Sequence, residues 1–364
     1  MTLPSGSPPV GVRRCPFSLR VDEIAGMLNC ELAGHPVYDG IELQRFDDAV
    51  HGSGLLVFLG RRDSGRIDFY VERGLRVDRD SYAIGGGIGS WNETVFDADR
   101  LVFADDGVSA EVRFIDVDGR TVEVSVDDRD GRRRRRGGLL APVGATTVHP
   151  RSLLLVWMPA FDLVRRRGAA PVVRIDGEQV DIGALPGGWL HRRHLVKVAA
   201  PVVTVELNRT EGDVPADLTS HAGQEVRFDA AGRLADVAAI HAGHTARLVC
   251  EPGLPDLAAL PEGGHVQGRW HVAVDAARLT GGVWSARRAG AQVTLALDVD
   301  ERWRPGRLPW LMRLVTTVVP VFRRWPTTYR WRADLRLGAQ PTMAARWERT
   351  GDGGGQGYRR ATGS

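Results

Sequence analysis

Ser90 to Asp128 reads SWNETVFDADRLVFADDGVSAEVRFIDVDGRTVEVSVDD, and its spacing decides the fold class. Val108, Ala110, Val112 and Phe114 lie two apart, with Ser109, Glu111 and Arg113 between them. A period of two marks a strand with one buried and one wet face. Asp116-Val117-Asp118-Gly119 breaks the pattern with turn residues, and Val122, Val124 and Val126 resume it. Two such strands around a Gly-containing turn predict a hairpin. A lone hairpin is marginal in water, so this one belongs to a larger sheet. The preceding Trp91 to Phe103 also reads as extended.

Outward from this stretch the β pattern continues. Leu55 to Leu59 reads as a buried strand, and Ile67, Phe69 and Val71 alternate with Asp68, Tyr70 and Glu72. Leu153 to Met158 is a near-continuous apolar run, as in a strand buried on both faces. Val203, Val205 and Leu207 share a face. Further strands are predicted at 225–228, 270–274, 282–286 and 293–299. Against this trend, Ile24, Met27, Leu28 and Leu32 recur at helical spacing and predict a short helix over Asp22 to Leu32.

These readings predict a mostly β protein of two successive antiparallel barrel- or sandwich-like halves with one or two helices. The divisions are an N-terminal segment (1–36) with the short helix, a first β domain (37–210), a second (211–350), and a disordered tail (351–364).

Two glycine-rich motifs carry no ligand in this reading. Gly85-Gly86-Gly87-Ile88-Gly89 lacks the following helix that a dinucleotide fingerprint needs. Asp116 to Gly119 resembles one piece of a calcium loop without the remaining ligands. The five arginines Arg132 to Arg136, flanked by aspartates, read as a polar loop between strands, with contact to an anionic surface as the other reading.

The totals bound the class. Of 364 residues, 43% are hydrophobic and 26% charged, an ordinary soluble composition. No apolar run of spanning length appears, and the first residues lack the apolar core of a signal peptide. Three widely spaced cysteines, Cys15, Cys30 and Cys250, fit a reducing compartment without a disulfide framework. A cytoplasmic location, in solution or peripheral to a membrane, is the expectation. The net charge of +3 argues only weakly for nucleic acid.

Residues 302–336 concentrate the basic and aromatic character. They hold nine arginines, one acid (Asp334) and four of the ten tryptophans: Trp303, Trp310, Trp325 and Trp331. Trp310, Leu314, Val318 and Phe322 are four apart, with Leu311, Val315 and Val319 in the adjacent row, which predicts a helix kinked at Pro320. Three readings stay open: a helix packed across the sheet, a contact with a membrane interface, and single-stranded nucleic acid. No nucleic-acid motif supports the last.

Candidates for chemistry are few. His191 and His194, and His241 and His244, are each three apart, which on a strand places them on opposite faces and on a helix on one face. With no HExxH or Cys/His pairing, no metal or cofactor is expected. No nucleophile elbow, phosphate loop or kinase set is present. What remains is buried acid. Asp162, among Trp157, Phe161 and Leu163, would be raised in pKa by desolvation, and a neutral carboxylic acid can protonate an alkene or carbonyl. Glu93, beside Trp91 and Phe96, is the second candidate. Trp91, Trp157, Phe161, His191 and Trp284 are the candidate substrate-binding residues.

The order of LLVFLG (55–60), SWNETVF (90–96), LAPVGATTVHPRSLLLVW (140–157) and a tryptophan-rich second half resembles the lipocalin-like family that contains carotenoid 1,2-hydratase (hydroxyneurosporene synthase). In outline the resemblance covers most of residues 50–335. It implies two β-barrel-like halves around a hydrophobic substrate. The chain has MPAFDLVRR at 158–166 where that family carries a His-Asp-rich active-site motif. The expected function is an enzyme acting on an isoprenoid, polyene or polyketide by acid–base cyclisation, hydration or isomerisation. The alternative is a non-catalytic carrier of a lipid or small molecule.

Overall fold

The computed structural model describes residues 15–349 apart from 81, 83, 85–88, 144–149, 168, 186, 211–215, 218–222, 307, 309, 339 and 340. The residues before 15, most of the glycine run at 85–89 and the tail from 350 lie outside the described residues.

The chain is mostly β, in two sheets with a few short helices. The first sheet has fifteen strands: β1 (Leu19–Ile24), β2 (Gly26–Ala33), β3 (Tyr38–Asp48), β4 (Gly52–Arg61), β5 (Ile67–Glu72), β6 (Trp91–Thr94), β7 (Ala98–Ala104), β8 (Gly107–Ile115), β9 (Thr121–Asp127), β10 (Gly137–Ala141), β11 (Leu153–Arg165), β12 (Val172–Ile175), β13 (Glu178–Ile182), β14 (Arg193–Ala199) and β15 (Val202–Leu207). A short helix, α1 (Gly188–His191), precedes β14. The sheet is branched. Its long path runs β1-β15-β11-β14-β2-β13-β12-β9-β8-β7, while β3, β4, β5 and β6 extend from β2, and β10 pairs with β11. The β5–β6 pair is parallel.

The second sheet has nine strands: β16 (Ala216–Asp217), β17 (Gln224–Phe228), β18 (Leu234–His241), β19 (His244–Leu254), β20 (His265–Val274), β21 (Ala277–Ala289), β22 (Gln292–Glu301), β23 (Tyr329–Arg336) and β24 (Thr342–Arg349). From β17 to β24 it is a meander of sequential neighbours, and β16 adds to β24. Between β22 and β23 lie α2 (Trp310–Val318) and α3 (Pro320–Arg324).

The hairpin read from the sequence is β8 and β9, in register from Ser109↔Asp127 to Ile115↔Thr121. Its alternating residues are buried and join Tyr70, Val173 and Ile175 in a core confined to the first sheet. The turn holds because Gly119 adopts φ +84° and its N–H donates to the Asp116 carbonyl at 3.0 Å. The Asp116 side chain is engaged within the turn and its surroundings. Its oxygens accept from the N–H groups of Asp118 (2.9 Å) and Arg120 (2.8 Å), from Arg120 Nε (2.8 Å) and from Tyr38 Oη (2.8 Å).

A second core joins the two sheets. Phe17, Leu19, Leu153, Leu155 and Val205 from the first meet Leu248, Trp270, Trp284 and Trp331 from the second. The Phe17 and Trp331 rings are 5.9 Å apart, and Trp347 Nε1 donates to the Asn208 carbonyl at 2.9 Å.

The expected helix over Asp22–Leu32 is not formed; strands β1 and β2 take its place. β2 is covered on both faces, with Met27 in the core between the sheets and Leu28, Cys30 and Leu32 in the other. That double cover is confined to the start of β2: Leu28, Cys30 and Leu32 alternate with the half-exposed Asn29 and Glu31, while Ile24, Met27, Leu28 and Leu32 also fall at helical spacing. The expected helix in 302–336 does form as α2, and the chain breaks at Val319 before α3, which has Pro320 at its start.

Candidate functional site

Two clusters of chemistry-bearing side chains border cavities. The first is a cleft of about 390 Å³ beside Asp162. β11 carries Asp162 and Arg165 to it, β14 brings Arg193, α1 brings His191, the β9–β10 loop brings Arg132 to Arg135, and α2 closes it with Trp310, Leu311 and Met312.

Asp162 is buried as expected, but its company is cationic rather than apolar. Its carboxylate lies 3.7 Å from Arg134 Nη1 and 3.6 Å from Arg193 Nη2, and one oxygen accepts from the Leu163 N–H at 2.8 Å. Burial raises the Asp162 carboxyl above its ordinary range, against the opposing pull of Arg193. Burial likewise lowers the pKa of the Arg193 guanidinium. Asp162 Oδ2 and Arg193 Nη1 are both buried without a hydrogen bond. Such orphans mark a site that a ligand or water can complete.

The arginine run is only partly the solvated loop expected of it. Arg134 turns inward and pairs with the buried Asp128, while Arg132, Arg133 and Arg135 stay exposed. Arg165 bridges Asp128 (3.4 Å) and Asp130 (2.7 Å). The outer wall thus keeps a surplus of guanidinium groups.

Beside this wall stands an exposed apolar surface. The helix α2 has two apolar rows. Leu311 and Val315, with the buried Met312, pack on the core. The other row faces water: Trp310 is 57% exposed, Leu314 53% and Val318 57%, and in α1 Trp189 is 82% and Leu190 61% exposed. Lone exposed apolar side chains are ordinary; here five stand on the two short helices that line the cleft.

The remaining sequence candidates do not gather here. Glu93 is on the surface, paired with Arg73 at 2.9 Å, so the buried setting expected of it is not formed. Trp91 stacks on Phe69 with centroids 4.1 Å apart. Trp157 covers Gly138, where a Cβ would meet its ring at 2.2 Å, and packs edge-on against Trp303. Phe161 is sealed in the core between the sheets. Trp284 is also sealed there, over Gly268 in the second sheet, and reaches neither cavity described here. Only Asp162 and His191 share the cleft, and the Arg193 N–H donates to His191 Nδ1 at 3.1 Å.

The second cluster escaped the sequence reading. Asp22 on β1, His51 in the β3–β4 turn and His241 at the end of β18 bring three ligand atoms within 4.8 Å of one another. Asp22 Oδ2 is 3.4 Å from His51 Nε2, and Asp22 Oδ1 is 3.2 Å from His241 Nε2. Asp48 Oδ2 holds the other His51 nitrogen at 2.8 Å. Hydrogen bonding to Asp22 is the main reason the His51 pKa is raised, to about 9. His241 owes its position to the Ala242-Gly243 turn, whose φ values are +48° and +85°. In that hairpin His241 pairs with His244 across two strands, so the one-strand spacing argument does not apply. The cluster borders a cavity of about 250 Å³ with Arg20, Arg76, Tyr82 and Glu206 in its wall.

No helix among the described residues is long and apolar enough to cross a membrane. No family model matches the chain, and neither the curated proteins nor the solved structures compared with it give a match.

Proposed function

We propose that this protein binds anionic amphiphiles at a lipid–water interface, with the headgroup in the Asp162 cleft and the apolar portion along α1 and α2. One observation carries the reading: five large apolar side chains stand in solvent on the two short helices that border an arginine-walled cleft. Guanidinium groups match phosphate or carboxylate oxygens in pairs. Tryptophan suits the headgroup depth, where one end of the ring is wet and the other dry. Burial of an apolar helix face together with attraction to acidic lipid is the general mode of interfacial binding.

This reading develops the carrier alternative from the sequence. A barrel-like, lipocalin-like form of the two sheets remains part of the proposal, as does the kinship with the hydratase family. The raised pKa of Asp162 favours a second reading, in which the bound amphiphile is also protonated there. Asp162→Asn would then abolish turnover of a bound polyene and leave its binding intact; unchanged turnover refutes this second reading.

Vesicle co-sedimentation tests the main reading. Phosphatidylcholine vesicles with a minor fraction of phosphatidylglycerol are expected to pull down the protein, and more salt to release it. Equal binding to neutral and acidic vesicles, or no binding to either, overturns it. Binding to single-stranded RNA in preference to acidic vesicles overturns it too.

A further inference from the structure

We propose that Asp22, His51 and His241 form a binding site for a divalent first-row transition ion, of which Zn²⁺ is the probe. Two imidazoles and one carboxylate are a donor set for such ions rather than for calcium or magnesium, which take oxygen ligands.

The spacing fits an ion. Ligand atoms bound at 2.0–2.1 Å around a tetrahedral centre lie about 3.4 Å apart. Asp22 Oδ2 lies 3.4 Å from His51 Nε2 and Asp22 Oδ1 3.2 Å from His241 Nε2, and one ligand atom from each of the three residues lies within 4.8 Å of the others, a slightly open set that an ion would draw in. The nitrogens are also suitably presented. Asp48 engages His51 Nδ1 at 2.8 Å, which leaves Nε2 to face the cluster. A carboxylate behind a ligand imidazole is the usual support of a metal site. On the other side, the buried His241 Nε2 makes no hydrogen bond, although Asp22 is close by.

Three protein ligands leave further coordination positions, and the adjoining cavity of about 250 Å³ gives them access to water. That is the form of a reactive or exchange site rather than a sealed structural one. Arg20 and Arg76 in the cavity wall suit a small anionic co-ligand, such as a carboxylate. The ligands come from both sheets, so the ion would also clamp β1 to β18.

Equilibrium dialysis of the full chain, freed of any histidine tag, against Zn²⁺ tests the site. One equivalent is expected to bind. His51→Ala and His241→Ala are each expected to weaken binding more than ~100-fold, and Asp48→Asn by ~10–100-fold. His244→Ala is the control and should bind as the parent does. The inference is overturned if the parent binds no Zn²⁺ at micromolar concentration. It is equally overturned if both histidine variants bind like the parent, or if His244→Ala loses as much as they do. Should the variants not fold, Co²⁺ absorption of the parent still decides. Visible bands of a four- or five-coordinate ion without thiolate charge transfer support the site. A spectrum of hydrated Co²⁺, or a thiolate band, refutes it. Neither measurement involves lipid, so the outcome is separate from that of the vesicle experiment.

Discussion

Replacing Trp189 and Trp310 together by alanine probes the interfacial reading most directly. Their rings are 82% and 57% exposed, so little folding energy depends on them. A tryptophan presents at most roughly 250 Å², and the two exposed fractions together offer on the order of 340 Å². At about 25 cal/mol per Å², full withdrawal from water would yield about 8 kcal/mol. Half immersion at headgroup depth, less the surface alanine retains, leaves roughly 3 kcal/mol, or a ~100-fold loss of partitioning. The arginines supply a separate contribution of about 1 kcal/mol each, screened by salt. The double variant should therefore bind acidic vesicles ~100-fold more weakly while keeping the salt dependence of the parent. Co-sedimentation over a lipid titration measures the first quantity, and repetition at rising ionic strength the second. Circular dichroism should be unchanged in the β region. A loss smaller than about threefold, with the fold intact, would refute the reasoning, because the exposed rings would then not touch lipid.

Other outcomes follow from the packing and the buried charges. Asp116→Asn should cost about 2–3 kcal/mol at neutral pH, read by denaturant titration, because it loses charge-assisted bonds from Arg120 and Tyr38. Burial alone would raise the Asp116 carboxyl, but Arg120 and Tyr38 bring it below its ordinary 3.8, so its contribution is present above about pH 4 and fades as pH falls through the folded value. Asp162 has the opposite sign. Its folded pKa is raised, so the stability of the parent relative to Asp162→Asn should decline as pH rises from about 4 through the folded value, which melting curves across pH would show. Gly282→Ala places a Cβ 1.7 Å from the Asp298 carbonyl oxygen at a β-bulge, and backbone cannot yield cheaply; a loss of about 3 kcal/mol or more is expected in thermal unfolding. Burial pushes the thiol pKa of Cys15 to about 11 and those of Cys30 and Cys250 to about 12, so none should react with a disulfide reagent until the chain is denatured.

Which parts were legible in the sequence follows from how local their signals are. The β8–β9 hairpin has one wet face, so its alternation shows in the bare sequence. In β2 the alternation of Leu28, Cys30 and Leu32 with Asn29 and Glu31 is short, and Ile24 and Met27 before it extend a helical spacing that competes with it. The apolar rows of α2 were visible, yet periodicity cannot say which row meets the sheet. Here Leu311 and Val315 do so and Trp310, Leu314 and Val318 do not. Asp162 stood out as an acid in an apolar run, but its partners Arg134 and Arg193 arrive from other strands and loops. The Asp22–His51–His241 cluster had no local signature at all. Asp22 lies within β1 and the two histidines at hairpin turns, and only the packing of β1 against β3 and β18 unites them.

The position of β1 has a consequence for biosynthesis. It is the first described strand to leave the ribosome, yet its ladder partner, β15, runs Val202–Leu207. Its backbone also needs Gln224, whose Oε1 accepts from the Leu19 N–H at 2.6 Å, and its outer face needs β18 and β19. The ladder pairing of β1 must therefore wait until β15 exists. Long-range pairing of this kind slows folding and leaves an unpaired edge exposed meanwhile. The polar content of β1, with Arg20, Asp22 and Glu23 between its apolar residues, keeps that waiting edge soluble. Asp22 would thus serve twice, in the polar face of the waiting strand and as a ligand of the proposed ion site.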